Sequence, residues 1–316
     1  MKTLVLVVAV SAVLAAYYAY NVSEDQMLES GFQTFINTYE KSYGSVEEYN
    51  FRFEAYKSNL NKIAEENRKN PQAHFAINQF GDFTDADMKK LLGYRGGKTN
   101  QPTKFTPTDV TPADWSHLWK NTVKNQGICG SCWTFSATAV FEARHAIKNG
   151  YTTEIKTFYS EQELIDCIKT KDSQGCNGGI ATDAYEFLNH HQFCSQELYP
   201  YQGIDGTCQL DKCAAGPNDD GRTDLPSGDV NAVLTELTNG PVAVAVDATR
   251  WAFYTSGIVT DCDNELNHGV TLTKTDGSNF VQIRNSWGPA WGESGNIRLG
   301  INNVCGFADS ATVPKF

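Results

Sequence analysis

Positive charge is scarce in this 316-residue chain, where 26 Lys and Arg stand against 37 Asp and Glu for a formal net charge of −11. The deficit is concentrated. From Pro112 onward 14 basic residues face 24 acidic ones, −10, while the stretch before Pro112 holds 12 against 13, −1. An acidic body is repelled by phosphate backbones and anionic lipid, which argues against a nucleic acid or a membrane surface as partner. It suits work at acidic pH. After Ala16 no segment is apolar over the ~20 residues that a membrane span needs, so the mature form is expected to be soluble. Internal repeats and low-complexity tracts are absent. Cysteine is missing everywhere before Cys129, although nine occur from there on. The Cys129-x-x-Cys132 spacing is not repeated downstream and no histidine pair matches it, so a zinc site is not expected. Nothing in the pattern implies a cofactor.

What is present begins with a leader. One positive charge at Lys2, an apolar run from Leu4 to Ala16 and small residues at its end form a secretory signal, with 1–16 as the removed segment. The alternative, a membrane anchor, needs a longer run. Asn21-Val22-Ser23 is a glycosylation sequon. Nine cysteines on the secretory route leave one unpaired, and the simplest odd thiol is Cys132. It lies in Asn125-Gln126-Gly127-Ile128-Cys129-Gly130-Ser131-Cys132-Trp133. A glycine-built turn there leads into a helix predicted from Trp133 to Lys148. A helix N-terminus, with unpaired N–H groups and a positive dipole end, favours thiolate, the nucleophilic form of a thiol. A lone buried cysteine is more often structural; this one stands at a helix entrance beside a second cysteine.

The run Cys129 to Trp133 resembles the active-site loop of the papain family of cysteine proteases, in particular its cathepsin L-like members. The rest of that resemblance can be read residue by residue. Of six histidines, His268 stands in Asn267-His268-Gly269, and Asn285 stands in Asn285-Ser286-Trp287-Gly288. Both follow Cys132 at about the 130–150-residue separation of the family's acid/base and its orienting amide, and both contexts match. Gln126 matches the oxyanion donor. His74 belongs to the segment lost on maturation, His117 has no motif around it, and His190 with His191 closes a helix. His145 lies on the same predicted helix as Cys132, about 20 Å away at ~1.5 Å per residue. The family's shared disulfides imply Cys129–Cys176, Cys167–Cys208 and Cys262–Cys305; the remaining Cys194 and Cys213 are expected to bond to each other.

By the same resemblance Gly178 and Gly179 would pair with an extended peptide. Ile180, Ala181, Ala245, Leu266 and Gly269 would wall the main specificity pocket, with Ser310 at its base, and Asn267 and Trp287 would border the cleft. Apolar walls and an uncharged floor point to an apolar or aromatic P2 side chain. Between Ile180 and Leu198 no insertion blocks the cleft, which favours an endopeptidase. Upstream, Glu48, Arg52, Tyr56, Asn59, Ile63 and Asn67 recur at helical spacing. An amphipathic surface helix would show the same period, but the identities resemble the Glu-Arg-Phe-Asn-Ile-Asn pattern of cathepsin L-like propeptides. Ala76 to Asp82 resembles their Gly-x-Asn-x-Phe-x-Asp motif.

These readings imply an α+β chain with a papain-like two-domain fold preceded by a helical propeptide. The expected parts are an inhibitory propeptide over 17–92, an exposed activation linker over 93–111, a helical half over 112–225 and a β-rich half over 226–316, with the cleft between the halves. Helices are predicted at Trp133–Lys148, Ser160–Cys167 with a Ser160/Glu163 capping box, Ala181–Asn189 and near Asp229–Leu237. Strands are predicted at Val242–Val246, Gly269–Thr273, Phe280–Arg284 and Gly295–Leu299, with a hairpin at Asp276-Gly277. The sequence departs from the family in three places. Trp115 to Lys124 lacks the usual Thr-Pro, Val281 stands where tryptophan is frequent, and the strand after His268 reads Thr-Leu-Thr-Lys-Thr-Asp-Gly where an apolar run is usual. The expected function is a monomeric cysteine endopeptidase made as a zymogen, acting on protein or peptide substrates in a lysosome, an acidic vacuole or outside the cell. Its own propeptide, and cystatin-like proteins, would inhibit it, and carboxylates such as Asp82 would loosen the propeptide in acid. The alternatives are a catalytically dead binding or storage protein of the same fold and a thiol acyl transferase or ligase.

Overall fold

The computed structural model describes residues 25–96, 110–120, 122–213, 216–263 and 265–316. The leader over 1–16, the sequon at Asn21 and most of the expected linker lie outside them. Contacts divide the chain into two compact units, one of residues up to 62 with 79–83, the other of 63–78 with 84–316. No described helix is long and apolar enough to cross a membrane.

The first unit holds helix α1, residues 25–38, and most of α2, Val46–Lys69. Its core is aromatic. Phe32 is fully buried, with the rings of Phe35, Tyr43, Tyr49, Phe53 and Tyr56 around it at 5.2–5.9 Å. The stripe on α2 explains itself in its bonds. Asn59 Nδ2 donates to the carbonyls of Gly81 (3.0 Å) and Phe83 (2.8 Å), and Arg52 to that of Asp82 (3.1 Å). The Asp82 carboxylate accepts from Lys41 Nζ at 2.8 Å and Tyr43 Oη at 3.0 Å. The helix side chains thus hold a loop whose backbone has no ladder of its own, as buried peptide groups require.

In the second unit the end of α2 leads to β1, Ala73–Phe75, fixed by Asn67, whose side chain pairs with both the N–H and the carbonyl of Phe75 at 2.9 Å. Three helices follow the cysteine loop: α4 (Cys132–Lys148), α5 (Glu161–Cys167) and α6 (Ala181–Leu188), preceded by the short α3 (Asp85–Lys89). α4 is buried along most of its length because its apolar residues run almost all the way round. Phe141 on it packs against Phe193 and the C-terminal Phe316, with ring centroids 5.1 and 5.0 Å away.

The strands are β2 (Ala113–Asp114), β3 (Arg222–Asp224), β4 (Val242–Val246), β5 (Tyr254–Val259), β6 (His268–Thr275), β7 (Phe280–Arg284), β8 (Asn296–Gly300) and β9 (Ala311–Pro314). They form one sheet in the order β1-β5-β8-β7-β6-β4-β9-β3, with β2 also on β6. α7 (Val230–Leu237), capped by Asp229, packs beside it. The predicted helices and four predicted strands are present within one or two residues. The two halves are less separate than the 225/226 boundary implies. β2 and β3 come from the first half and join the sheet of the second, while Phe316 returns to the helices.

The polar strand after His268 forms by answering its own hydroxyls. Thr271, Thr273 and Thr275 are buried, Thr273 Oγ1 donates to Gln282 O (3.2 Å) and Thr275 Oγ1 to Phe280 O (2.9 Å). Asp276 Oδ1 takes the N–H groups of Ser278, Asn279 and Phe280 to close the β6–β7 hairpin at Gly277, whose φ is 80°. The structure joins Cys129–Cys176, Cys167–Cys208, Cys194–Cys213 and Cys262–Cys305 and leaves Cys132 free.

The expected capping box on α5 is only half formed. Ser160 Oγ accepts from Glu163 N at 3.0 Å, but the Glu163 carboxylate turns inward to Cys194 N at 2.8 Å, and its Oε1 is buried without a partner. Burial pushes this carboxyl up to about 7, and that of Asp219 likewise to about 7. A carboxyl raised by folding binds its proton in the native state first, so its contribution is fullest below the usual carboxylate range and is lost as pH rises toward 7. The melting temperature of the full chain is therefore expected to be higher at pH 5 than at pH 8. Glu163→Gln should remove part of that slope, about 5 °C, as scanning calorimetry at the two pH values would show.

Candidate active site

Cys132 opens α4 and is fully buried. The turn before it needs its glycines: Gly127 has φ of 62°, and a Cβ on Gly130 would lie 2.5 Å from Cys176 O. The Cys129–Cys176 disulfide ties that turn to the Gly178-Gly179 segment. Cys132 Sγ accepts hydrogen bonds from two backbone N–H groups, those of Gly93 and Gly269, each at 3.3 Å.

His268 begins β6, one residue before Gly269, so the strand that carries the imidazole also brings an N–H to the sulfur. Its Nε2–H donates to Asn285 Oδ1 at 2.7 Å, and Nδ1 has no hydrogen-bond partner. The Trp287 ring lies 4.9 Å from the imidazole, with Trp251 edge-on at 6.3 Å. Gln126 is buried. Its Oε1 accepts from Ser286 Oγ at 2.7 Å, so its Nε2 faces the cleft, donating to Leu91 O and Cys129 O at 2.9 Å. Cys132 and Gln126, from one loop, are thus brought together with His268 and Asn285 from two other stretches. The other histidines lie elsewhere: His145 Nδ1 is 3.2 Å from Tyr159 Oη, His117 Nε2 is 2.8 Å from Thr152 O, and His190 and His191 are exposed.

The cleft is closed by the chain's own segment. The sequence predicts an exposed linker from residue 93, yet Gly93 is buried over the sulfur. Gly179 N donates to Gly93 O (2.8 Å), Tyr94 N to Asn267 O (2.9 Å) and Arg95 N to Gly179 O (3.3 Å). Glycine content alone suggests flexibility. Here the glycines serve close approach, since a Cβ on Gly93 would stand 1.8 Å from Gly130 O and one on Gly178 2.6 Å from Gly93 O. The occluding segment therefore reaches at least Gly96, and 97–109 falls outside the described residues.

Beyond Gly93 the Tyr94 side chain forms part of the wall of a cavity of about 130 Å³. Ile180, Ala181, Ala245, Gly269 and Ser310 are among its lining residues, and Tyr94 Oη donates to Ser310 Oγ at 2.7 Å. Leu266 is buried but does not line the cavity, because the chain at this point turns into β6 and presents Gly269 instead. Sequence reading missed Thr182, Val244, Thr312 and Tyr94 itself. Nothing local marked them: the pairing of β4 with β9 brings in Val244 and Thr312, the start of α6 adds Thr182, and the Tyr94 N–H bond to Asn267 O places the tyrosine.

A closed cleft sets the charge state. Burial pushes the Cys132 thiol up to about 11 despite the N–H groups of Gly269 and Gly93 that favour thiolate. Burial likewise lowers His268 to about 4, with the Asn285 bond opposing it. Between those values thiol and imidazole are both neutral, so the closed state does not hold the ion pair that the isolated motif suggests. At the far end of the pro-segment, Glu66 on α2 lies 3.4 Å from Arg250, which also meets Asp261 at 2.9 Å. Burial raises the Glu66 carboxyl more than Arg250 lowers it. Proton uptake is then favoured in the docked state, so Glu66 does not act as an acid-release trigger.

Two family profiles match the chain. "Papain family cysteine protease" covers residues 109–315, and "Cathepsin propeptide inhibitor domain (I29)" covers residues 32–88. Among curated relatives, the cathepsin L-like peptidase of Aedes aegypti is 33% identical over 99% of both chains. Vignain of Phaseolus vulgaris is 36% identical over 85% of this chain and 81% of its own. Among solved structures, digestive procathepsin L 3 of Tenebrio molitor larval midgut superposes with a TM-score of 0.78 at 34% identity, covering 92% of this chain and 99% of that one.

Gly93→Ala should lift the segment from the sulfur, since overpacking of this degree costs about 1–3 kcal/mol. Cys132 in the uncleaved full chain should then react with iodoacetamide at pH 8 about tenfold faster than in the parent, read by intact mass; an unchanged rate would show that the segment accommodates the methyl group.

Proposed function

The chain belongs to the papain family of cysteine proteases, preceded in the same polypeptide by a cathepsin propeptide inhibitor domain, and on that premise we propose that Cys132, His268, Asn285 and Gln126 form its catalytic apparatus. The observation that carries this reading is the set of bonds that links them: His268 Nε2–H to Asn285 Oδ1, Gly269 N–H beside His268 to Cys132 Sγ, and Ser286 Oγ beside Asn285 to Gln126 Oε1. Once the pro-segment leaves, water enters, the burial that holds both groups neutral is relieved, and the proton passes from Cys132 Sγ to His268 Nδ1. Sγ attacks the substrate carbonyl carbon. The oxyanion takes the place now held by Leu91 O, receiving Gln126 Nε2–H together with the Cys132 backbone N–H. His268 delivers its Nδ1 proton to the leaving amine, and the acyl-thioester is hydrolysed by water with the imidazole as base. Asn285 keeps Nε2 as the donor side of the ring, which leaves Nδ1 for this traffic.

The direction of the pro-segment supports latency. A substrate reaches the sulfur after its P2 side chain has passed the pocket; this segment meets the sulfur at Gly93 first and the pocket at Tyr94 afterwards. It runs the opposite way and offers Sγ an N–H where a substrate offers a carbonyl carbon. Tyr94 also supports the reading of specificity. It lines the cavity together with Ile180, Ala181 and Ala245 and its hydroxyl reaches Ser310, so the mature enzyme is proposed to accept bulky apolar or aromatic P2 residues. The unobstructed cleft favours an endopeptidase. Four disulfides and the propeptide support synthesis on the secretory route. An acidic lysosome or vacuole, or secretion, is the proposed destination, with the enzyme a monomer open to cystatin-like inhibitors.

Four measurements test this. After acid activation, an epoxide thiol reagent should label Cys132 stoichiometrically, and His268→Ala should abolish the labelling; absence of labelling in the parent would instead favour a dead binding protein. Gln126→Ala should lower kcat by about 10²–10³, and product analysis in the presence of an added amine would expose a transferase by its amide product. In a P2 library Ser310→Ala should reduce cleavage of substrates with Tyr at P2 more than of those with Phe, about fivefold in kcat/KM, the loss of one ~1 kcal/mol hydrogen bond; a preference for Arg at P2 would contradict the pocket assignment.

A further inference from the structure

Behind the Asn285 side chain lies a cavity of about 20 Å³. Its wall is unusual for so small a space: Lys124, Glu142, Glu161 and Arg284 contribute to it, with Ser136, Ala139 and Ser286. Glu142 and Glu161 are almost fully buried. Lys124 Nζ bridges them at 3.1 and 2.6 Å. Arg284 has no carboxylate of its own among the described residues; it donates to Thr122 O and lies over the Trp119 ring at 4.8 Å. Two cations and two carboxylates make a neutral quartet, which is the condition for keeping charge inside a protein.

Asn285 faces this quartet with an unmet need. Its Oδ1 accepts from His268 Nε2 at 2.7 Å and from Ser286 N at 2.8 Å, while its Nδ2, buried, finds no acceptor in the protein. A buried amide donor without a partner is costly. The space is polar and of the size that suits a single water with two to four partners. We propose that this cavity is the site of one ordered water that accepts from Asn285 Nδ2 and donates to the carboxylates of Glu142 or Glu161, with the quartet acting as a positioning device for the imidazole.

The reason lies in the ambiguity of an amide. With its oxygen and nitrogen exchanged, Asn285 would present Nδ2 to His268, and the ring would have to offer Nε2 as an acceptor, carrying its proton on Nδ1 instead. An acceptor fixed on the cavity side makes the observed orientation the favourable one. A hydrogen-bond chain then runs from buried carboxylates through water and Asn285 to His268. Glu142 and Glu161 touch no reacting atom in this scheme; they act through Asn285. The proposal rests on the catalytic role given to His268 above, so its test includes readings that do not depend on turnover.

A crystal structure of the full chain, at a resolution where ordered waters are distinct, should show a water within hydrogen-bonding distance of Asn285 Nδ2 and of one of the two carboxylates; density without a water there overturns the proposal. Ala139→Val narrows the cavity and Glu161→Gln keeps its shape but removes one acceptor charge. In either variant ¹⁵N spectra of the full chain should show a second His268 tautomer beside the single parent form. After activation, kcat should fall about tenfold with KM within twofold. A variant with a lowered melting temperature, a single tautomer and unchanged kcat would reduce the quartet to a structural element and overturn the proposal. Should one variant fail to fold, the other gives the same reading. If the activated parent shows no labelling at Cys132, the catalytic reading has failed, while the water and the tautomer still report on the quartet.

Discussion

Water exclusion around one sulfur atom governs the chemistry of the cleft. With Gly93 lying over it, Cys132 Sγ has two backbone N–H groups for company and no solvent, and these do not offset the loss of hydration that a thiolate requires. The same dryness disfavours imidazolium at His268. Latency therefore has two parts, a steric one in the reversed segment and an electrostatic one in the removal of the charged pair. On the proposed reading of the site, the second would keep it without its charged pair for as long as the segment excludes water.

The geometry around that sulfur is shared between elements far apart in the chain. The helix entrance presents the thiol, β6 carries both the imidazole and an N–H that meets the sulfur, and the turn after β7 supplies Asn285 to the ring and Ser286 to Gln126. Disulfides fasten the periphery of this arrangement: Cys129–Cys176 joins the thiol's turn to the Gly178-Gly179 segment, which pairs with Gly93 and Arg95. Polar residues hold the interior wherever the backbone cannot, as Asn59 and Asn67 do in the propeptide and the buried threonines do along β6.

Much of this was legible from residue types and spacing. Cys132, His268 and Asn285 stood out because the short motifs around them resemble those of a known family, and helices α4 to α7 because 3.6-residue patterns and Ser or Asp caps are local. Elements defined by distant partners stayed hidden. β5 has Gly257 and Ser256 inside it and forms only between β1 and β8, and β3 is three polar residues held by β9. Glu163 matched a capping box, but a buried N–H at Cys194, brought close by a bond between distant cysteines, outcompeted the local partner. Gly93 and Gly96 read as flexible because glycine's lack of a side chain is the same whether it grants freedom or permits contact. Leu266 stays off the pocket wall for a similar reason: the turn into β6 decides which side chains face the cleft.

The place of β1 at one end of the sheet order has a consequence for what maturation leaves behind. Residues 73–75 belong to the propeptide, yet they pair antiparallel with β5 and shield one side of it. Their departure uncovers peptide groups of Tyr254–Val259 along the margin of the sheet, the kind of unsatisfied template on which other chains can add a strand. The propeptide is in this sense an edge guard as well as a cleft stopper. While docked it covers this edge of the sheet, and a cleavage that frees the cleft would also open a surface for strand addition.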